Sequence, residues 1–191
     1  MYTPKTFNIP KLKGLTEETI AEHIKLYEGY VKNTNGILEK IKELSIDSEK
    51  NAYILGEIQR RFGFEFGGMR NHEHYFGAIS DGAKAIDIKS ELFNAIEKEY
   101  GSFDGWLARF KAIALTRGVG WAMLYFDEKE KRLLSTWVDE QHIGQLAGAK
   151  IILALDMWEH SFVADYQPSG KKQYVEDFFE NLNWKFVQDS F

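Results

Sequence analysis

The stretch Ile151-Ile152-Leu153-Ala154-Leu155-Asp156-Met157-Trp158-Glu159-His160 decides how this chain is read. Its unbroken apolar run describes a buried strand. Asp156 then stands at the end of that strand, and His160 lies one turn into whatever follows. A carboxylate and an imidazole at such a point make half of a transition-metal site. The same letters also fit an aspartate that caps a short helix, with a core histidine behind it. Two further histidines in comparable settings bear on that choice.

His23 lies on a helical stretch, with Tyr27, Tyr30 and Thr34 following at i+4, i+7 and i+11 on the same face. A face of this kind is either an aromatic core seam or one wall of a site. His72 and His74 fall in Asn71-His72-Glu73-His74-Tyr75-Phe76 and point to different faces of a helix, so at most one joins a given site. His72 is the better candidate because Phe76 shares its face and can wall off water. His74 reads as a surface or structural residue. Combined, His23, His72, Asp156 and His160 offer three imidazoles and one carboxylate, which with one solvent molecule would make a five-coordinate site. His72-Glu73-His74 does not have the H-E-x-x-H spacing of a hydrolytic zinc site.

Composition narrows the classes. A chain of 191 residues holds one or two small domains with a real core. The net charge of −5 argues against a general nucleic-acid surface, although a local basic funnel for a small anion remains compatible with it. There is no cysteine, which excludes disulfides, thiolate zinc sites and thiol nucleophiles. Histidine, carboxylate and water are the remaining ligands, a set that suits manganese, iron or zinc. Met1 to Pro10 lacks the apolar core of a signal peptide. No apolar run approaches the roughly 20 residues that span a bilayer. No membrane partner and a cytoplasmic location are therefore the expectation.

Along the chain, Gly14-Leu15-Thr16-Glu17-Glu18 reads as a helix start with Thr16 as N-cap and acids in the first turn. That helix is expected from Glu17 to about Leu44, and a second from about Glu49 to Ile79. The second contains Gly67-Gly68, a pair that weakens a helix unless something packs closely there. Ser80 to Ala85 reads as a linker around the turn Asp81-Gly82. It would divide an N-terminal helical hairpin domain (1–85) from a C-terminal domain (86–191). In the latter, helices are expected over Glu91–Tyr100 and Phe103–Leu115. Strands are expected over Trp121–Phe126, Leu133–Val138 and Lys150–Leu155, and further helices over Trp158–Ala164 and Lys171–Leu182. Helices followed by a mixed half describe an α+β fold.

Five segments in this order resemble the iron/manganese superoxide dismutase family, and the likeness covers nearly the whole chain. DMWEHSFVADY at 156–166 is similar to the D-x-W-E-H-A-x-x-x-D-Y signature, the most specific of them. NHEHYF at 71–76 resembles N-H-x-x-Y-W/F, GVGWAML at 118–124 resembles G-S-G-W-x-W-L, and YVKNTN at 30–35 resembles Y-V-x-N-L-N. NLNW at 181–184 resembles the family's C-terminal N-W ending. The resemblance implies a helical hairpin packed on an α/β domain with a three-stranded antiparallel sheet, assembled as a homodimer or tetramer. It implies one manganese or iron ion per subunit, held by His23, His72, Asp156 and His160, and superoxide as substrate. Glu159 would reach across the subunit interface to the partner's copy of His160. Tyr30 would be the gateway tyrosine, and Trp121 and Trp158 would line the pocket.

The chain departs from the family pattern in places. His23 and Tyr30 are seven residues apart, one fewer than is common, yet still share a helix face. The usual histidine near the gate is missing, with Tyr27 in that region, and Val163 stands where a tyrosine is usual. These changes imply an altered gate. Met123 replaces a second pocket tryptophan and can still fill apolar space. Iron members often carry a glutamine four residues before the second-helix ligand; here that position is Gly68. Manganese members supply Gln or His from the loop after the second strand, where this chain has Gln141-His142. Gln141 is the favoured contact to metal-bound solvent, with His142 as the alternative. Manganese, or use of both metals, is therefore favoured. Two other readings are weaker: a two-His, one-carboxylate iron oxygenase, which the third imidazole opposes, and a non-enzymatic metal-binding homologue that has lost turnover, for which Val163 is the one supporting feature.

Overall fold

A computed structural model describes residues 1–191. Helix α1 spans Glu17–Leu44 and begins as its sequence dictates. The Thr16 hydroxyl oxygen accepts the Thr19 N–H at 3.2 Å, and Glu17 and Glu18 lie at the positive end of the helix dipole. A 3-10 turn over Ser45–Asp47 reverses the chain. Helix α2 spans Ala52–Ala78, starting later than the expected Glu49. The delay has a local cause: the Asn51 N–H bonds the Asp47 carbonyl while its side chain bonds the Leu44 carbonyl, so these residues close α1 before α2 opens. Contacts such as Asn33 to Glu65 and Tyr27 to Glu73 show that α1 and α2 run antiparallel.

Close packing explains the Gly67-Gly68 pair. A Cβ on Gly68 would lie 2.5 Å from the Tyr30 ring, and one on Gly67 would lie 2.3 Å from the Gln141 carbonyl oxygen. The segment Ser80 to Ala85 is non-helical and turns at Asp81 and Gly82, whose φ angles are +58° and +79°. It is held by the C-terminal region, where the Asn183 side chain donates to the Ser80 carbonyl at 2.9 Å.

Helices α3 (Glu91–Tyr100) and α4 (Phe103–Ala114) are capped by Ser90 and Ser102. Three strands follow: β1 (Gly120–Asp127), β2 (Arg132–Asp139) and β3 (Lys150–Asp156). They form an antiparallel sheet of order β2-β1-β3, so the fold is α+β. Trp121 pairs with Val138 on one side and Asp156 on the other, which fixes the register at the end nearest α2.

The continuous helix expected over Trp158–Ala164 is broken. A 3-10 turn covers Glu159–Ser161, and the four-residue α5 covers Val163–Tyr166. The Ser161 hydroxyl lies 2.6 Å from the Trp158 carbonyl and 3.1 Å from that of Asp156, and this competition tightens the turn. Helix α6 (Lys171–Glu180) stops short of Leu182. A short helix absent from the sequence reading, α7 (Trp184–Asp189), follows the Asn183 cap. The apolar core is continuous, running from Tyr27 and Val31 of α1 through Phe76 to Trp121, Leu153 and Trp106. No helix is long and apolar enough to cross a membrane.

Two glycines of α2 should respond oppositely to alanine. Each gains helix propensity worth about 1 kcal/mol, but Gly56 faces open space while Gly67 faces a backbone carbonyl. Gly56→Ala should raise the urea midpoint, and Gly67→Ala should lower stability by about 1–3 kcal/mol. Equal midpoints for the two variants would contradict the close approach at Gly67.

Candidate metal centre

Asp156 ends β3 and is fully buried. A buried carboxylate needs compensation on both oxygens. Its Oδ1 accepts the Trp158 backbone N–H at 2.8 Å. Its Oδ2 faces three ring nitrogens: Nε2 of His23 at 3.1 Å, of His160 at 3.2 Å and of His72 at 3.5 Å. The four side chains come from α1, α2, the end of β3 and the turn beyond it. Their ligand atoms all lie within 4.8 Å of one another, and no other group of three or more His, Asp or Glu side chains is so placed.

The protonation pattern suits a cation. His72 Nδ1 lies 2.6 Å from the Gly68 carbonyl oxygen, which can only accept, so Nδ1 carries the proton and Nε2 presents a lone pair. That buried Nε2 has no hydrogen-bond partner, the signature of an acceptor awaiting a ligand. Burial holds the His72 imidazole down to about 3 and also lowers that of His23, which keeps both rings neutral. Burial pushes the Asp156 carboxyl up, but the neighbouring His160 and His23 outweigh it and hold the group well below the usual carboxylate range. One anionic oxygen and three imidazole nitrogens, with no thiolate, fit manganese, iron or zinc.

A second layer encloses the cluster. Trp121 Nε1–H donates to Gln141 Oε1 at 2.9 Å, and Gln141 Nε2 donates to Tyr30 Oη at 3.0 Å. Indole nitrogen can only donate, so it fixes which end of the Gln141 amide faces Tyr30. Burial raises the Tyr30 phenol and keeps it protonated. Trp121 meets His72 edge-on at 5.0 Å between centroids, Phe76 meets His23 at 4.9 Å, and Trp158 stacks on His160 at 5.7 Å. Tyr30, Phe64, Trp158 and His160 line an open depression together with Lys25, Arg61, Glu22 and Glu65. Lys25 pairs with Glu22 and Arg61 with Glu65.

The remaining predicted residues lie further out. His142 packs edge-on to Phe64 at 5.8 Å, away from the ligand cluster. Tyr27 is buried, but its hydroxyl accepts the Lys5 N–H at 2.9 Å and lies 3.4 Å from Glu73, tying down the N-terminal arm. Glu159 is exposed beside His160. Met123 is fully buried. Sequence reasoning missed Tyr174, whose hydroxyl donates to the Asp156 carbonyl at 2.9 Å, and Asn71 and Gln145, which hold Gln141 from behind. Asn71 stands directly before a ligand in the sequence; nothing local marks the other two.

Residues 88–190 match the family described as the C-terminal domain of iron/manganese superoxide dismutases. The chain belongs to the iron/manganese superoxide dismutase family. It is 35% identical over 178 residues to an iron superoxide dismutase of Cupriavidus metallidurans, covering 92% of this chain and 87% of the relative. It is 34% identical over 183 residues to a manganese superoxide dismutase of Mycolicibacterium smegmatis, covering 95% and 86% respectively. A manganese superoxide dismutase of Nocardia asteroides shows the same identity and coverage. Iron and manganese superoxide dismutases are thus almost equally similar to it, so overall identity does not choose the metal.

His74 is partly buried and does not converge with the rings of His23, His72 and His160. Its Nδ1 is buried without a partner, and burial, reinforced by Lys5, holds the ring down to about 4. An unfolded histidine titrates near 6.5. Between those values the unfolded chain binds a proton that the folded chain refuses, so stability falls as pH falls through that window. Compared in metal-free protein, His74→Gln should lose less stability than wild type between pH 7.5 and 4.5, by about 1–3 kcal/mol. Parallel pH profiles of urea unfolding would show that His74 titrates normally.

Proposed function

We propose that this chain is a superoxide dismutase that holds one manganese or iron ion per subunit, with manganese or dual use favoured. The observation that supports this most directly is the convergence of three imidazole Nε2 atoms on Asp156 Oδ2, beneath the linked pair Gln141 and Tyr30. When bound, the metal supplies one-electron chemistry, cycling between 3+ and 2+ as one superoxide is oxidised to dioxygen and another, with two protons, is reduced to hydrogen peroxide. His23, His72, His160 and Asp156 bind and orient it.

The other residues handle access and protons. Tyr30 Oη accepts from Gln141, which leaves its own proton free to be passed on. Phe76, Trp121 and Trp158 enclose the ligand rings and favour a small anion over an organic substrate. Gln141 Nε2 has a second proton with no protein acceptor, available to a solvent ligand in the pocket.

The metal preference rests on where this amide originates. Gly68 carries no side chain toward the pocket, and the Tyr30 ring leaves no space for one. Gln141, from the loop after β2, takes that place. Subunit pairing is the second part of the proposal. His160 Nδ1 finds no partner in its own chain, its side chain is 26% exposed, and Glu159 is exposed next to it. In a homodimer each Glu159 would bond the other subunit's imidazole.

The test is reconstitution with manganese and with iron separately, measuring dismutation, metal content and sedimentation on the same samples. Activity with manganese or with both metals, in a dimer or tetramer, is expected; full occupancy without turnover would favour a metal-binding homologue, and iron-only activity would refute the metal preference. His160→Ala should lose the metal. Gln141→Ala should change the ratio of manganese- to iron-supported activity by about tenfold or more, and His142→Ala far less. The reverse ranking would transfer the role to His142.

A further inference from the structure

Behind Gln141 lies a closed ring of three hydrogen bonds. Asn71 Nδ2 donates to the Gln141 backbone carbonyl at 3.0 Å, Gln145 Nε2 donates to the same oxygen at 3.0 Å, and Gln145 Nε2 also donates to Asn71 Oδ1 at 3.1 Å. The orientations have no alternative. A carbonyl oxygen can only accept, so both amides must turn their nitrogens toward it, and the Asn71 oxygen then faces the second Gln145 proton. Both Gln145 protons and both carbonyl lone pairs are used.

The ring joins the loop to the ligand helix. Asn71 precedes His72 on α2 and is fully buried. Gln141 and Gln145 belong to the loop between β2 and β3, which turns through positive φ at Glu140 (+51°) and Gly144 (+88°). That loop touches α2 where Gly67 gives up its side chain: a Cβ there would lie 2.3 Å from the Gln141 oxygen and 3.4 Å from Gln145 Nε2. On the pocket side, Trp121 and Tyr30 hold the two ends of the Gln141 amide. They fix its rotation, while the ring fixes how far its backbone stands from α2.

We propose that Gln145 is a positioning residue that sets, through the Asn71 ring, the distance of the Gln141 amide from the metal pocket. This rests on the reading of the site as a redox metal centre. There, a small displacement of one donor changes the relative stability of the two oxidation states, and with it which metal the site can use. Gln145 is neither one of the four convergent side chains nor part of the depression's lining, so its influence passes through its two partners, Gln141 and Asn71.

The experiment uses Gln145→Met, which keeps the length of the side chain and removes both donors, with Ile143→Ser on the same exposed loop as control. In metal-free protein, the Gln141 side-chain amide protons are followed by NMR. In Gln145→Met they should shift and exchange with water roughly three- to tenfold faster, the ratio that one hydrogen bond supports. In manganese-loaded protein, the reduction potential should move in Gln145→Met and stay in place in Ile143→Ser. Unchanged Gln141 signals and potential in a folded Gln145→Met variant would overturn the proposal, as would equal changes in the control. Should Gln145→Met not fold, wild type decides: slow exchange of the Gln145 side-chain protons supports the ring, and exchange at the rate of a free amide overturns it. The NMR arm needs no turnover, so a protein without dismutase activity would refute the functional reading and leave this test intact.

Discussion

A buried carboxylate with no lysine or arginine beside it is the constraint around which this molecule is arranged. Removing Asp156 from water costs several kcal/mol unless its oxygens are met by donors or a cation. The chain meets one oxygen with a backbone N–H and aims three imidazoles at the other. Two of those imidazoles, His23 and His72, come from the helical hairpin, so a cation held between them and Asp156 would join the hairpin to the sheet. The end of β3 is correspondingly fixed. Tyr174 and Ser161 both reach the Asp156 carbonyl, and the Met157 N–H bonds the Gly120 carbonyl. A ligand set held this firmly loses little freedom when a cation arrives, so more of the coordination energy appears as affinity.

The second constraint is the close approach of backbones around α2. Two adjacent glycines in a helix interior weaken it by roughly 1 kcal/mol each. In return Gly68 admits the Tyr30 ring against the helix, and Gly67 admits the carbonyl of Gln141. The placement of Tyr30 and of Gln141 depends on these absent side chains. Seen this way, Gly67-Gly68 belongs to the site as much as any polar residue does.

Much of this was legible in the sequence. The boundaries of α1, α3 and α4 follow from hydroxyl caps at Thr16, Ser90 and Ser102, whose effect is local. The four convergent side chains stood out because His23 and His72 occupy defined helix faces and Asp156 closes an unmistakable apolar strand. Other features depended on information that a sequence does not carry locally. The break after Trp158 arises because the Ser161 hydroxyl competes for backbone carbonyls, which no periodicity reveals. Helix α7 is six residues long, too short for a 3.6-residue repeat to register. Gln145 looks like any polar loop residue until the fold brings Gly67 against the Gln141 carbonyl.

The near-equal likeness to iron and manganese superoxide dismutases has a physical reading. Histidine and aspartate are donors compatible with both ions, so the donor set by itself favours neither. Under the proposed function, discrimination falls to groups beyond the four donors, such as hydrogen bonds near the cluster, whose effect depends on their position. Gln141 is held by Trp121 and Tyr30 in front and by a ring of amides behind, on a loop that is joined to α2 only through space. A shift of that loop leaves every ligand in place and every atom of the ligand set unchanged. On the proposed reading, two chains with identical ligands would differ in the metal they use through how this loop is seated.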